Sequence, residues 1–465
     1  MEPKQLKVLA RPVEGVLDNI KEELNDMKKK LINVLCFMLL VTLTSTMLPL
    51  SLQAEHDEFI YCNVIESFFG IKFASNYSRA LDLINAFYEN LPTSREGRTV
   101  YPENFGGFYI NDNGELVVLY VGPRQKATDN VAMNVFNTDN ANIREVNYTY
   151  ADLREAFVFL DFFIPSNTNN SAAANVDGIS FDIKSNNILV SLAIYCDDKI
   201  LLFKETVLDA SFLMFHKSPG LPSIGIGEEY ANISKHIVES SEICINAFPT
   251  PFIRTGDALM LRDAFGNLRW SGSVGYRAVI NINGRGQEMG FVTAAHLGPI
   301  VLNRRIRAGD RIYNEHGQHV GTVQLTHLDT IDAAFFTLAP NAAGSNITAR
   351  GSLMGRIEHV PIGGPVIFDG SAIGRGRLGA IRANWSGNLR DGPWVSGVRA
   401  TYFTDPGDSG GVVYSWTNVS DNGVVGIHVA SWWRLAEQRW PDDGNSVFTR
   451  ASDHSLRIGH QLAPR

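Results

Sequence analysis

Cysteine is scarce in this 465-residue chain, with four residues in all. They are Cys36, Cys62, Cys196 and Cys244, and no two of them have the close spacing of a zinc site. Removal of a segment that contains Cys36 would leave three, so complete pairing is impossible and no disulfide framework is predicted. Three histidines also lack a carboxylate partner at metal-ligand spacing: His316, His319 and His327. We therefore predict no metal and no cofactor.

Lysine and tryptophan are each missing from one part of the chain. No lysine follows Lys235, and all seven tryptophans lie at Trp270 or later. Residues 1–250 carry 20 Lys/Arg against 32 Asp/Glu, whereas residues 251–465 carry 21 against 17. This asymmetry predicts a boundary near residue 245. Neither part has the strong basic excess of a nucleic-acid-binding protein, so nucleic acid is not predicted as a partner.

The chain is globular by composition, because 45% of its residues are apolar and 19% are charged. Residues 1–54 indicate export, since three lysines at 28–30 precede the apolar stretch Leu31–Leu52 and an acidic run follows it. The pattern favours a cleaved signal peptide and a secreted protein. A membrane anchor at residues 31–52 is the alternative, which the hydroxyl residues and proline of the stretch weaken. Met27 competes with Met1 as the true start.

Residues 55–217 mix helical and strand-like patterns, which predicts an α+β region. Helical spacing occurs at 78–87 and 150–160, and strand-like runs occur at 114–121, 179–182 and 188–192. Lys184–Asn187 is predicted to form the turn between the last two runs. Residues 218–250, with several prolines around a short polar stretch, are predicted to be a linker.

Residues 251–465 show short β-type runs separated by Gly and Asn turns about every ten residues. This spacing predicts an all-β sandwich or barrel.

Gly407-Asp408-Ser409-Gly410-Gly411 is the most informative motif of this part. Glycines beside a serine permit backbone conformations that other residues rarely adopt, which can aim the N–H groups of Gly407 and Ser409 at one point. Paired N–H donors of this kind stabilise an oxyanion. A Gly-rich hairpin turn is the alternative.

Two further segments supply a base and an acid for this serine. An apolar strand with small residues at its end leads into His296, and Asp332 stands at the start of the apolar run 333–336. A histidine can take the proton of a serine, and a buried acid beside it fixes its tautomer and stabilises its cation. Asp329 competes with Asp332 for this role.

His296, Asp332 and Ser409, in this order, resemble the catalytic triad of the trypsin/chymotrypsin-like serine peptidases. The bacterial branch of streptogrisins and alpha-lytic protease is the most similar, because residues 256–259 and 273–278 resemble the opening strands of those enzymes. The resemblance covers about residues 250–460. It implies two six-stranded β-barrels, with His296 and Asp332 in the first, Ser409 in the second, and the cleft between them.

The segments Phe105–Ile110, Val176–Ile179 and Asn187–Val190 resemble the pro-regions of these bacterial peptidases. Such pro-regions assist folding and inhibit the enzyme, so residues 55–217 are predicted to be an intramolecular inhibitor. An acidic pro-region suits docking onto a mildly basic peptidase domain.

Asp408 departs from the pattern of the bacterial branch. Those enzymes often carry an arginine that pairs with this aspartate, and the matching residue here is Phe368. Arg375, Arg377 or a freed N-terminus are the candidates to neutralise Asp408.

Substrate preference in this family depends on residues before the serine and on the strand after it. Trypsin-like enzymes have an Asp where this chain has Phe403, which argues against preference for Lys or Arg. His428 and Thr404 match a histidine and a Ser or Thr of glutamyl endopeptidases, and Ser431 matches a third polar position. These three groups would select a substrate carboxylate. Alternatively, His428 packs under the strand and the pocket accepts small apolar residues.

Taken together, the patterns predict a secreted serine endopeptidase made as a self-processed precursor, with preference for Glu or Asp before the scissile bond and protein or peptide substrates. Cleavage after Glu239 or Glu242 would release the peptidase domain. Tyr402, Trp432 and Trp433 are expected either to line the substrate groove or to pack inside the barrel. The alternative from another class is a binding or adhesion protein with this fold that does not use its triad.

Overall fold

The structure is a computed structural model. Described residues are 65–66, 68–94, 99–122, 134–136, 142–223, 250–262, 265–281, 287–297, 305–328, 330–390, 392–415, 422–432, 446–458 and 460–462. The predicted signal segment and the candidate cleavage sites Glu239 and Glu242 lie outside them, as do Asp329 and Trp433. Of the helices that the structure describes, none has the length and apolar character needed to span a membrane.

The first part of the α+β region is a helix packed on a three-stranded sheet. Its elements are α1 (Ile71–Glu89), β1 (Phe105–Ile110), β2 (Leu116–Val121) and β3 (Asn142–Val146). β2 pairs antiparallel with β1 and parallel with β3. α1 buries residues at helical spacing, and the last of them, Phe87, stacks against Phe105 with 4.8 Å between ring centroids. The predicted helix at 78–87 thus lies within a longer one.

The second part places helices against another three-stranded sheet. Its elements are α2 (Tyr150–Ser166), β4 (Val176–Asp182), β5 (Asn187–Leu192), α3 (Asp197–Thr206) and β6 (Leu213–Lys217). Thr149 caps α2 by accepting the N–H of Asp152 at 3.1 Å. β5 pairs antiparallel with β4 through the predicted turn, in which Asn186 has a φ of 56°, and parallel with β6. α3 and β6 were not predicted.

Residues 258–338 form the first barrel. A short strand, β7 (Phe252–Arg254), precedes this barrel and lies outside its sheet. The strands of the barrel are β8 (Ala258–Arg262), β9 (Leu268–Ser273), β10 (Arg277–Asn281), β11 (Gln287–Thr293), β12 (Arg311–Tyr313), β13 (His319–His327) and β14 (Ala333–Leu338). Pairing runs in the order β10-β11-β14-β13-β12-β8-β9. β9 and β10 are joined by residues 274–276 into one bent strand, which pairs with β8 and with β11. The ring therefore closes with six strands.

The second barrel follows after a connection that contains β15 (Ala343–Ser345), which pairs with β7, and β16 (Ile347–Thr348). Its strands are β18 (Pro365–Asp369), β19 (Arg377–Asn388), β20 (Trp394–Ala400), β21 (Val412–Ser415), β22 (Asn422–Ser431) and β23 (Ser446–Arg450), and β17 (Gly351–Ile357) pairs parallel with β22 outside the ring. Antiparallel pairs connect β18, β19, β20, β23, β22 and β21 and return to β18. This ring also has six strands, which confirms the predicted all-β double barrel.

The chain ends with a helix that the β-type pattern did not predict, α4 (Ala451–Ile458), and a last strand, β24 (His460–Leu462). β24 pairs with β10 and so returns to the first barrel.

The α+β region is docked on the second barrel. β4 pairs antiparallel with β19 over residues 178–181 and 384–387, so β4, β5 and β6 extend the sheet of the barrel. One apolar cluster runs from Leu160 and Phe181 of the α+β region to Val398 and Phe448 of the barrel. The Asp161 carboxylate of α2 accepts hydrogen bonds from side chains of β20. The two regions therefore share backbone pairing, core and polar contacts.

Candidate active site

A buried histidine and a buried aspartate meet at the ends of two neighbouring strands of the first barrel. β11 pairs with β14, and Thr293 lies opposite Ala334, so the residues just beyond these positions, His296 and Asp332, come together. The Asp332 carboxylate contacts His296 Nδ1 and also accepts the N–H groups of Ala295 and His296, at 2.7 and 2.8 Å. Three donors therefore hold the carboxylate in one orientation, and Asp332 in turn holds the imidazole ring.

The other ring nitrogen of His296, Nε2, can act as a proton acceptor. His296 is 3% exposed, and within the described part of the chain its Nε2 is buried without a hydrogen-bond partner. Because Nδ1–H donates to Asp332, the neutral ring presents Nε2 as an acceptor. A buried acceptor with no partner is costly in a resting protein, and it is the group that a general base needs.

The serine loop, residues 405–411, lies against the end of β11. The Ser273 N–H donates to the Ser409 carbonyl at 2.8 Å, and the Gly410 N–H donates to the His428 carbonyl at 2.8 Å. Gly410 has a φ of 88°, and a Cβ there would lie 2.2 Å from Thr293 Oγ1, so only glycine fits. The two barrels therefore bring Ser409 next to the segment that carries His296. The buried Ser409 hydroxyl donates to the Val429 carbonyl at 3.2 Å.

Gly407 is the other residue predicted to supply an oxyanion donor. Its φ of 98° lies in the left-handed region, which explains the glycine. The peptide that follows it is held at both ends, because the Gly407 carbonyl accepts the Ser273 hydroxyl at 2.8 Å and the Asp408 N–H donates to the Asp405 carbonyl at 3.0 Å. The loop conformation around the serine is thus fixed by specific contacts.

Of the candidate partners of Asp408, Arg375 and Arg377 make other contacts, and a freed N-terminus stays a prediction. The buried Asp408 carboxylate accepts backbone N–H groups: that of Ala372 at 2.8 Å, that of Ile373 at 3.2 Å and that of Asp405 at 2.7 Å. Arg375 pairs with Asp257 instead. Burial raises the pKa of Asp408 to about 7, while these hydrogen bonds oppose the shift. Main-chain donors replace a cation at this position.

A cluster of buried hydroxyls lies where the substrate pocket was predicted. Thr404 Oγ1 is hydrogen-bonded to Ser431 Oγ, and Ser446 Oγ lies 3.4 Å from the first and 3.3 Å from the second. Ser446 was not predicted, because it joins the cluster only through the pairing of β23 with β22, which sets it opposite Ser431. Phe403 is 42% exposed and is therefore not the floor of a buried pocket.

His428 contacts Tyr402, Phe368 and the Val447 carbonyl. Its Nδ1 is 3.3 Å from the Tyr402 hydroxyl, and its ring meets the edge of Phe368 with 5.4 Å between centroids. Burial, together with the nearby His296, lowers the pKa of His428 to about 3, against a hydrogen bond with the Val447 carbonyl. The ring is neutral at physiological pH and has no described hydrogen bond to Thr404 or Ser431. Tyr402 is fully buried, so it packs inside the barrel.

The start of the predicted linker lies on the same strand as the pocket. The Ser223 N–H donates to the Ser431 carbonyl at 2.7 Å, and the Ser431 N–H donates back to the Ser223 carbonyl at 3.1 Å. The Arg390 N–H donates to the carbonyl of the adjacent Pro222 at 2.9 Å, and Trp432 Nε1 donates to the Gly220 carbonyl at 2.8 Å. Residues 220–223 thus form an extended tail along the end of β22.

Family comparisons agree with the first half of this architecture. Residues 74–146 match the family described as the Pro-like N-terminal domain, and residues 144–218 match the Pro-like C-terminal domain. These matches confirm the predicted pro-region. In this chain the two Pro-like domains are followed by the two closed barrels.

Similar solved structures include protease A of Thermobifida fusca, which is 20% identical, with coverage of 46% of this chain and 100% of that chain and a TM-score of 0.35. A Nocardiopsis protease is 22% identical, with coverage of 45% and 98% and a TM-score of 0.35. A glutamic acid-specific serine protease is 20% identical, with coverage of 45% and 100% and a TM-score of 0.34. No curated protein sequence matches this chain significantly.

Proposed function

We propose that this chain is the precursor of a secreted serine endopeptidase that hydrolyses peptide bonds through an acyl-enzyme. The observation that carries the proposal is the buried His296–Asp332 pair, whose Nε2 has no hydrogen-bond partner among the described residues and which follows the end of β11, where Thr293 contacts the serine loop at Gly410. A binding protein would gain nothing from leaving a buried acceptor unpaired at this place.

In this mechanism, His296 Nε2 takes the proton of the Ser409 hydroxyl as Oγ attacks the substrate carbonyl, and later gives it to the leaving amine. The Ser409 hydroxyl first rotates away from the Val429 carbonyl, which frees that carbonyl for a substrate N–H. Asp332 stabilises the imidazolium. The N–H groups of Gly407 and Ser409 hold the oxyanion.

The pro-region would inhibit the peptidase by occupying its substrate groove. Two hydrogen bonds pair Ser223 antiparallel with Ser431, and Ser431 lies two residues beyond Val429, whose carbonyl contacts the Ser409 hydroxyl. An extended peptide held there covers the approach to the serine from one side. The docking of β4 on β19 keeps the tail at a high effective concentration.

The substrate pocket would be built on the hydroxyl cluster of Thr404, Ser431 and Ser446, and we propose preference for Glu before the scissile bond. The Thr404 and Ser431 hydroxyls, which bond to each other here, can turn to donate to a carboxylate, while the Ser446 hydroxyl beside them donates to the Tyr402 carbonyl at 2.7 Å. The neutral His428, which contacts Tyr402 and Val447, favours a second candidate, preference for small apolar residues.

Labelling of the self-processed chain with a fluorophosphonate tests the peptidase proposal. Only an activated serine reacts, so we expect labelling that is lost in Ser409→Ala and His296→Ala. Absence of labelling after removal of the pro-region by limited proteolysis would favour the binding protein.

Specificity is tested with peptides that vary only the residue before the scissile bond, among Glu, Asp, Ala, Leu, Phe and Lys. Thr404→Val removes a hydroxyl and keeps the shape of the side chain. We expect it to lower kcat/KM for the Glu peptide by about tenfold or more and to leave the Ala peptide nearly unchanged. Best cleavage of Ala, Leu or Phe peptides would assign His428 a packing role.

N-terminal sequencing of exported protein tests secretion against membrane tethering and identifies the maturation site.

A further inference from the structure

We propose that two serines outside the predicted triad, Ser273 and Ser371, act as positioning residues that hold the serine loop in its catalytic conformation. The inference rests on the proposed peptidase function and adds two residues to its machinery. Ser273 ends β9 in the first barrel, and Ser371 lies just after β18 in the second. The pair therefore bridges the barrels directly behind Ser409.

Ser273 contacts the serine loop on both sides of Asp408. Its hydroxyl donates to the Gly407 carbonyl at 2.8 Å, and its N–H donates to the Ser409 carbonyl at 2.8 Å. Ser273 is fully buried, so water cannot replace these bonds. The two carbonyls belong to the residues whose N–H groups are the proposed oxyanion donors.

Ser371 completes the arrangement. Its hydroxyl lies 2.8 Å from Ser273 Oγ and 3.2 Å from the Gly407 carbonyl, and its N–H donates to Ser273 Oγ at 2.9 Å. The Ser273 hydroxyl accepts the Ser371 N–H, and each of the two hydroxyls has one proton to donate, either to the other hydroxyl or to the Gly407 carbonyl. The Gly407 carbonyl therefore has two hydroxyls within hydrogen-bonding distance.

The same segment also binds Asp408. The N–H groups of Ala372 and Ile373, which follow Ser371 directly, donate to the Asp408 carboxylate. Residues 371–373 thus supply two of the three described main-chain donors to this carboxylate, and Asp405 supplies the third. Ser371 anchors that segment to Ser273.

Gly407 makes this anchoring necessary. Its φ of 98° and its lack of a side chain leave the peptide between Gly407 and Asp408 with little steric restraint of its own. Loss of the Ser273 hydroxyl would remove one of the bonds that hold this peptide and would leave its carbonyl with the Ser371 hydroxyl alone, at 3.2 Å. The geometry around the oxyanion would loosen, while the substrate groove on β22 would be unchanged.

The test compares Ser273→Ala with Ser415→Ala in the self-processed full-length chain. Ser415 is the matched control, because it is also a buried serine with a hydroxyl that is hydrogen-bonded to main chain. It lies at the end of β21 and contacts Gly423 of β22. We expect Ser273→Ala to lower kcat by about 10- to 1000-fold with KM within about twofold, since an oxyanion donor of this kind contributes that much. A peptide aldehyde, which forms a tetrahedral adduct with the serine, should bind weaker by a similar factor. Ser415→Ala should change neither quantity.

Unchanged kcat in folded Ser273→Ala, or an equal loss in Ser415→Ala, would overturn the inference. If Ser273→Ala does not fold, Ser371→Ala, at a half-buried position, is measured in the same way and should lower kcat and aldehyde affinity in parallel. Failure of the wild-type chain to react with a fluorophosphonate would instead refute the proposed function, so the two failures are distinguishable.

Discussion

Asp161 offers a direct test of how the pro-region docks on the peptidase domain. Its carboxylate, on α2, accepts Trp394 Nε1 at 2.8 Å and the Ser396 hydroxyl at 2.8 and 3.0 Å. Both donors belong to β20 of the second barrel. We expect Asp161→Ala to weaken docking and to destabilise the precursor.

The magnitude follows from the two donors. Trp394 is 6% exposed, so its N–H would be left buried without an acceptor, at a cost of about 1–3 kcal/mol. The half-exposed Ser396 hydroxyl can turn to water and loses about 1 kcal/mol. The sum of about 3 kcal/mol corresponds to a factor of about 100 in the docking equilibrium.

The assay is urea unfolding in a Ser409→Ala background, which prevents self-cleavage. Tryptophan fluorescence reports on the peptidase domain, because all seven tryptophans lie at Trp270 or later. Glu155→Ala is the control, since Glu155 is exposed on the same helix. A free energy of unfolding for Asp161→Ala within about 0.5 kcal/mol of the parent, and equal to that of the control, would show that these contacts do not hold the pro-region.

Two further predictions concern the site. Asp332→Asn should lower kcat by about 10⁴-fold, because the amide no longer fixes the His296 tautomer, with KM little changed; steady-state kinetics would contradict this if kcat stayed within about tenfold of wild type. His428, whose pKa burial lowers from 6.5 to about 3, resists protonation in the folded state, so its contribution to stability is present above pH 6.5 and is lost as the pH falls toward 3. Urea unfolding at pH 7 and pH 4 should therefore show a smaller acid loss for His428→Phe than for the parent, and an equal loss would refute the assignment.

The order of the pro-region and the peptidase domain could be predicted because each has a recognisable local pattern in the sequence. Helical spacing at 78–87 and 150–160 lies within α1 and α2, and the turn at Lys184–Asn187 joins β4 to β5. The ends of these elements were missed, since capping and packing decide them. α3 carries a weak helical pattern and becomes helical in the folded chain through neighbours that are distant in sequence.

The candidate site likewise contains residues that the sequence predicts and residues that it does not. The sequence predicts His296, Asp332 and Ser409, because a nucleophile, a base and an acid require particular residue types in recognisable local sequence patterns. The partners of Asp408 could not be predicted, because they are backbone N–H groups, those of Ala372 and Ile373 among them, and every residue type except proline supplies such a group.

The residues that carry the chemistry can be read from the chain: a serine between glycines, a histidine after small residues, and an aspartate before an apolar strand. The groups that support this chemistry come together only when the chain folds. Ser446 reaches the pocket through strand pairing, Ser273 reaches Gly407 across the barrels, and residues 220–223 reach Ser431 through the docking of β4 on β19. Hydrogen bonds of this kind depend on the meeting of distant backbone segments, which composition and spacing do not encode.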